Sequence, residues 1–360
     1  MLVRRYFACP ACGRGDFGAD RVLGVTGYVT RGACRMACLL GVQRSFKKAE
    51  LALLEVAGWD LDDDTIRLLC HATAERASSS RPQRDTAEAF AQAEGDLEWH
   101  IDAGKINTRG GWRDVKVAVV ARREPGEPIT ATEWDDRDLP APSVRSVVAA
   151  VEEAIAFGSR CAAEATRLGL TDPSAMHVLG DGAEWIWNLA EQRFRGGSQC
   201  LDFWHGAAYL GSAANAAFGA GSDEAAAELG RGKKRLLEDG YWGVTEWIGE
   251  LASKMPPGGD GAASATALNY FAGHQSRVNY ALRLRRGQSI GSGLVEGSIK
   301  QLLNVRRKQT GARWKVEHVA PFVELGALAA GPEWEAFWKK NDRMPKSGGA
   351  PMTREQLVAT

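Results

Sequence analysis

Net charge is the first thing missing from this chain of 360 residues: 45 Lys and Arg balance 45 Asp and Glu. A neutral chain has no global basic footprint, so binding to nucleic acid would need local clustering of charge. Long apolar runs are missing too. None approaches the ~20 residues of a membrane-spanning helix, so no membrane partner is expected. The opening Met1-Leu-Val-Arg-Arg-Tyr6 has no apolar leader core, and the expected location is cytoplasmic. Cysteine is sparse and odd in number, seven in all, with four in the first 38 residues. That pattern suits a reducing compartment with possible metal ligation better than a disulfide framework. What remains is ordinary for a globular protein, 44% apolar and 25% charged. The length allows two or more domains.

The chain is organised around residues 176 to 205. A short apolar run, Met176 to Leu179, ends at Gly180 and delivers Asp181, as a buried strand presents a carboxylate at its C-terminal end. Gly180 and Gly182 leave room beside that carboxylate. Gln199 to Trp204 reads as the next strand and ends near His205.

At the N-terminus, Cys9-Pro-Ala-Cys12-Gly is a CxxC knuckle, half of a tetrahedral zinc site. Cys34 and Cys38 could supply the other half. They also fall at i and i+4 of a helix over 31–42, where small buried thiols are common. Residues 1–40 are therefore read as a partial zinc ribbon and first helix. From 41 to 95 the pattern is helix, turn, capped helix: Lys47 to Val56, a break at Gly58, a cap at Asp62 or Asp63, then Asp64 to Ala77 with Ile66, Leu68, Leu69 and Ala72 inward. That order fits a helix-turn-helix DNA reader or a plain helical hairpin. Ser78 to Asp96 reads as a linker or solvated helix.

From 96 to 205 the pattern is a mixed sheet. Leu97 to Asp102 alternates, Gly110-Gly111 turns, and Trp112 to Val120 is β-prone. Ile129 to Trp134 is a possible third strand. Ser143 to Leu168 reads as one long helix, with Ser143 as N-cap and Gly169 as C-cap. Residues 206–286 read as a helical insertion: Ala207 to Phe218, Ser222 to Glu238, Gly243 to Lys254 and Ala262 to Leu284, punctuated by Pro256-Pro-Gly-Gly. Over 287–330 a helix from near Ser292 to Gln309 carries Glu296 in its first turn, and another runs over 312–330. Residues 331–360 read as a polar, peripheral tail. Trp185 and Trp187 read as core.

Three carboxylates stand out by position: Asp102, Asp181 and Glu296. Two aspartates at strand ends and a glutamate from a packed helix could hold two divalent cations about 3.5–4 Å apart, the arrangement that drives in-line phosphoryl transfer. Oxygen ligands suit Mg²⁺ or Mn²⁺. Strand-end aspartates also commonly serve only to bond a turn. Charge favours the metal reading. Between Arg277 and Lys315 there are ten basic residues, and Glu296 is the only acid. Lys300, Arg306, Arg307, Lys308 and Arg313 are candidate phosphate contacts. A basic solvated helix is the plainer alternative. Asp202 and His205 form a DxxH pair, placed either near the metals or at a strand-to-helix junction.

Gly180-Asp181-Gly-Ala-Glu-Trp185-Ile-Trp187-Asn, Leu201-Asp202-Phe-Trp-His205, Gly291-Ser-Gly-Leu-Val-Glu296-Gly-Ser-Ile-Lys300 and Arg306-Arg-Lys308-Gln-Thr-Gly311-Ala-Arg313-Trp314 together resemble bacterial insertion-sequence DDE transposases of the Kra group. The segment Asp102 to Val117 and the Cys9/Cys12 knuckle match as well, so the resemblance runs to about Ala330. It implies an RNase H-like core with a helical insertion, and Asp102, Asp181 and Glu296 as a catalytic triad binding two Mg²⁺ or Mn²⁺ ions. It also implies a DxxH motif of the kind found in mutator-like relatives. The partners implied are double-stranded DNA, both terminal inverted repeats and target, bound by a homo-oligomer in the nucleoid. Two features depart from the family: the usual upstream CxxC pair is absent, and Gly-Met-Arg-Trp is replaced by Gly311-Ala312-Arg313-Trp314. A catalytically silent DNA-binding derivative is the competing reading. A carboxylate-pair glycosidase would leave the basic Glu296 helix unexplained.

Overall fold

Two short hairpins come first, β1 (Tyr6–Ala8) with β2 (Gly15–Phe17) and β3 (Val25–Thr26) with β4 (Val29–Thr30). The computed structural model describes residues 6–13, 15–17, 20, 25–26, 29–81, 85–255, 261–331 and 333–340. Pro256 to Gly259 and the tail from 341 lie outside the described residues. Helices α1 (Arg31–Gln43), α2 (Phe46–Ala57) and α3 (Asp63–Ser79) follow, each opened by a side-chain cap: Thr30, Ser45 and Asp62. Gly58, at φ 63°, closes α2 in the left-handed region.

The helical pair therefore exists where the capping pattern put it, but its faces differ from the expected ones. The buried stripe of α3 is Ile66, Cys70, Thr73, Ala74 and Ala77, while Ala72 is exposed. On α2 only Ala49 and Leu53 are buried. The expected linker contains a further helix, α4 (Thr86–Gln92).

The central sheet comprises β5 (Asp96–Thr108), β6 (Gly111–Arg123), β7 (Val144–Ala150), β8 (Met176–Gly180) and β9 (Ser198–Leu201), in the order β7-β6-β5-β8-β9. β7 runs antiparallel to β6, whereas β8 is parallel to both β5 and β9. Between them lie α5 (Ala154–Arg167) and α6 (Glu184–Arg193). Three expectations fail here. The strand expected over Gln199 to Trp204 stops at Leu201, because Asp202 caps a helix that starts at Phe203. Ile129 to Trp134 is no strand; it leads into a 3-10 turn, Trp134–Asp136. Ser143 to Leu168 is not one helix, because its first third is the edge strand β7. Its β-branched Val144, Val147 and Val148 pair along β6, and Ser143 donates its N–H to Arg122 O rather than capping a helix.

Next come α7 (Phe203–Phe218), α8 (Asp223–Lys254), α9 (Ala262–Ala272) and α10 (Tyr280–Arg285). Gly240 breaks α8 at φ 58°, ψ −129°, so it is two helices end to end, as the sequence suggests. The expected helix from 262 to 284 is split by a 3-10 turn, Gln275–Arg277. Last are α11 (Gly293–Ile299), a π-turn over Lys300–Asn304, α12 (Val305–Arg307), α13 (Val316–Ala329) and α14 (Glu333–Lys340). Helix α14 corrects the expectation of a peripheral tail: Trp334, Phe337 and Trp338 are all buried.

The chain divides into two compact units. One gathers Met1–Gln83, Ile106–Trp112 and Gln301–Thr360, with α3 packed on α1 and α13. The other gathers Arg84–Lys105 and Arg113–Lys300. Its core is built from both faces of the sheet and the inner faces of α5 to α10, with Trp99, Phe157, Phe203, Trp247 and Tyr280 fully buried. No helix among the described residues is long and apolar enough to cross a membrane.

Candidate metal centre

Strand register builds the site. In the parallel pairs, Ile101 lies opposite Gly180, and Gly180 opposite Leu201. The next residue on each strand is an aspartate: Asp102, Asp181 and Asp202. Three neighbouring parallel strands thus deliver three carboxylates at one end of the sheet, where ligands of open α/β sheets collect. Asp181 sits in a turn, accepting the Ala183 N–H at 2.9 Å. Gly182 makes that turn at φ 100°, where a Cβ would come 2.5 Å from the Tyr270 hydroxyl. Tyr270 in turn donates to the Asp181 carbonyl at 2.8 Å.

Asp202 is fully buried and caps α7, accepting the His205 N–H at 2.7 Å. Its second oxygen accepts the Ser292 N–H at 2.5 Å and faces the Ser292 hydroxyl at 3.0 Å. That hydroxyl also lies 2.9 Å from Glu296 Oε1. One hydroxyl proton therefore serves two carboxylates. Ligand atoms of Asp202, His205 and Glu296 all lie within 4.8 Å of one another.

The electrostatics describe crowded negative charge. Burial pushes the Asp102 carboxyl up, Asp181 and Glu296 add to the push, and it reaches about 6 although the Ala103 N–H and His205 pull the other way. The Asp202 hydrogen bond, aided by Asp181 and Asp102, raises His205 to about 8 against the effect of burial. Burial would raise Asp202, but donors from His205 and Ser292 hold it below its ordinary value. A crowded cluster of carboxylates and one imidazole that favours positive charge is the donor chemistry of a divalent-cation site.

The basic residues divide. Lys300, Lys308 and Arg313 are exposed. Arg306 and Arg307 are buried, which corrects their reading as phosphate contacts. Arg306 donates to Gly41 O at 2.8 Å and lies over the Phe46 and Trp314 rings. Arg307 donates to Leu302 O and, at 2.6 Å, to Phe322 O. Both guanidiniums are committed to backbone carbonyls and aromatic faces inside the first unit.

Cys9 and Cys12 are exposed in the turn between β1 and β2, where Gly13 donates to Cys9 O at 2.9 Å. N–H groups of Ala11 and Cys12 lower the Cys9 thiol. Among the described residues no metal-sized group of three ligands includes them. Cys34 and Cys38 lie on α1, Cys38 buried and Cys34 half-buried beside Thr73 at 3.7 Å.

From the sequence Ser292 marks only a helix start, and whether Asp202 belongs to the site stays open. The available signal was the Gly291-Ser-Gly loop: a Cβ on Gly291 would meet Asp202 Oδ2 at 3.3 Å, so the missing side chain makes the contact possible. No protein-family model matches the chain, and no curated protein matches it.

Proposed function

We propose that this chain is a DDE transposase, similar to those of the Kra group, that cuts DNA at element ends and joins the freed 3′-OH to target DNA. The observation that carries the reading is the convergence of Asp102, Asp181 and Asp202 from three parallel strand ends with His205 and Glu296. The strand order and the long helical stretch between Asp202 and Glu296 support an RNase H-like core interrupted by an insertion.

Asp102 and Asp181 would hold two Mg²⁺ or Mn²⁺ ions between them, and Glu296 would complete the second position. When bound, such ions polarise the scissile phosphate and steady the attacking and leaving oxygens. The chain's own residues do the rest. Asp202 fixes Ser292 and, through its hydroxyl, orients Glu296. His205, cationic below about 8 in the metal-free protein, offsets charge at the cluster and can hold a phosphate oxygen. Lys300, Lys308 and Arg313 supply exposed positive charge for DNA. In this reading α2 and α3 contact the terminal inverted repeats, and the Cys9/Cys12 turn supplies two of four zinc ligands. The active form is a homo-oligomer pairing two DNA ends in the nucleoid.

The test is nicking and strand transfer on labelled DNA carrying the element's terminal repeats, with Mg²⁺ or Mn²⁺. Wild type should cut and join, while Asp181→Ala and Glu296→Ala should lose at least a hundredfold. Binding without cutting under any divalent ion would instead establish the silent DNA-binding derivative.

A further inference from the structure

Trp204 is the second residue of α7, between the buried Phe203 and the exposed His205, and it is itself 55% exposed. An indole is the largest apolar side chain and is usually well covered. This one is held in place all the same. Its centroid lies 5.3 Å from that of Trp134 and 5.5 Å from that of Phe203. The Phe203 N–H donates to Ile290 O at 3.0 Å, tying the first turn of α7 to the loop that carries Ser292. A Cβ on Gly291 would reach Trp204 Cδ1 at 3.7 Å, so that loop runs directly beside the indole.

Above the ring sits a cation. Lys233 Nζ, from α8, lies 5.0 Å from the indole centroid. Among the described residues no carboxylate lies within ion-pair distance of Lys233, although α8 carries many acids and pairs Arg231, Lys234 and Lys254 with them. Asp202, two residues before Trp204, and His205, directly after it, belong to the metal-type cluster. A rigid exposed π-face, an unneutralised ammonium and a carboxylate cluster thus share one short rim.

We propose that Trp204 and Lys233 form a subsite for an unpaired nucleobase adjoining the phosphodiester at the carboxylate cluster; the inference rests on the nucleic-acid reading of that cluster. The base stacks on the indole and displaces the ammonium sideways onto the phosphate that flanks the base. Only an unpaired base offers a free face, because in a duplex both faces are stacked. Stacking tolerates any base, so the subsite selects strand state rather than sequence.

The test uses the full chain without divalent metal and a duplex carrying 2-aminopurine in a short single-stranded overhang, beside the same duplex made blunt. Wild type should bind the overhang more tightly and quench the probe. Trp204→Ala should weaken overhang binding about 5- to 100-fold and abolish the quench, with blunt-end binding unchanged. Trp204→Phe should retain most of the effect, and Lys233→Gln should flatten the salt dependence of overhang binding. The proposal is overturned if wild type does not prefer the overhang, or if Trp204→Ala binds and quenches like wild type. Metal-dependent nicking is scored separately. Nicking with no overhang preference defeats the subsite alone, and overhang preference without nicking defeats the transposase reading alone. No DNA binding of either kind defeats both.

Discussion

Glu98 carries a charge within the sheet, only 1% exposed on β5. His100 Nε2 and Arg123 Nε both meet its Oε2 at 3.0 Å. Burial pushes its carboxyl up, but His100 and Arg123 outweigh burial and hold it at about 2, below its ordinary 4.5. A carboxyl lowered by folding adds stability that is complete above the unfolded value and is lost as pH falls through the folded one. Stability against urea should therefore fall as pH drops from 4.5 to 2 in wild type, and this slope should flatten in Glu98→Gln. At neutral pH the same variant should lose about 3 kcal/mol, because Arg123 stays buried without its counter-charge. An unchanged acid limb would show that Glu98 is not the group being titrated. Arg307 and Lys308 test a different point at the same scale, since adjacent bases have opposite surroundings. Arg307→Ala should lower stability by about 3 kcal/mol, as two carbonyls lose a buried donor. Lys308→Ala should leave the melting temperature alone and reduce the salt slope of DNA binding by about 1. The reverse pattern would return Arg307 to the DNA surface.

At the scale of elements, the N-termini of α7 and α11 are tied by one serine. Ser292 gives its N–H to Asp202 and shares its hydroxyl between Asp202 and Glu296. Ser292→Ala keeps the backbone bond and removes the shared proton, so Glu296 loses its orienting contact. Mn²⁺ affinity, measured by calorimetry, should fall about tenfold with little change in fold stability; an unaltered affinity would mean that Glu296 needs no such support. The strand delivering Asp181 was legible because its apolar run is short and bounded by glycine. Asp202 was harder to read, since its place depends on the register of β9 against β8, which no local pattern encodes. Strand β7 was misread for a related reason. Val144, Val147 and Val148 fall at helical spacing (i, i+3, i+4), and pairing with β6 overrode that pattern. The burial of Arg306 and Arg307 was illegible because a charge run looks the same whether it faces water or aromatic rings.

At the scale of the whole molecule, the first unit is assembled from separated parts of the chain. Residues 1–95 look self-sufficient in sequence: a knuckle, a helix and a capped helical pair. Yet α3 packs on α13 as well as on α1. Phe322 of α13 meets Phe46 edge-on at 6.0 Å, and Arg76 of α3 lies 5.3 Å from the Trp338 ring of α14. Val319, Phe322, Val323, Leu325 and Leu328 of α13 are buried, as are Trp334, Phe337 and Trp338 of α14. At about 2 kcal/mol for each such side chain, their burial amounts to on the order of 15 kcal/mol. That matches or exceeds the roughly 5–15 kcal/mol by which a whole domain is stable. A fragment of residues 1–95 should therefore lack a cooperative thermal transition by far-UV circular dichroism and show collapsed amide dispersion by NMR. Joining residues 301–340 to it through a flexible linker should restore both. If the short fragment melts cooperatively alone, α1 to α3 form an autonomous domain and the C-terminal helices are accessories to it. If only the joined form folds, any end-recognition by α2 and α3 depends on a segment that begins immediately after Lys300 in the chain. Truncation beyond Glu296 would then abolish DNA-end binding even though every residue of α2 and α3 remained.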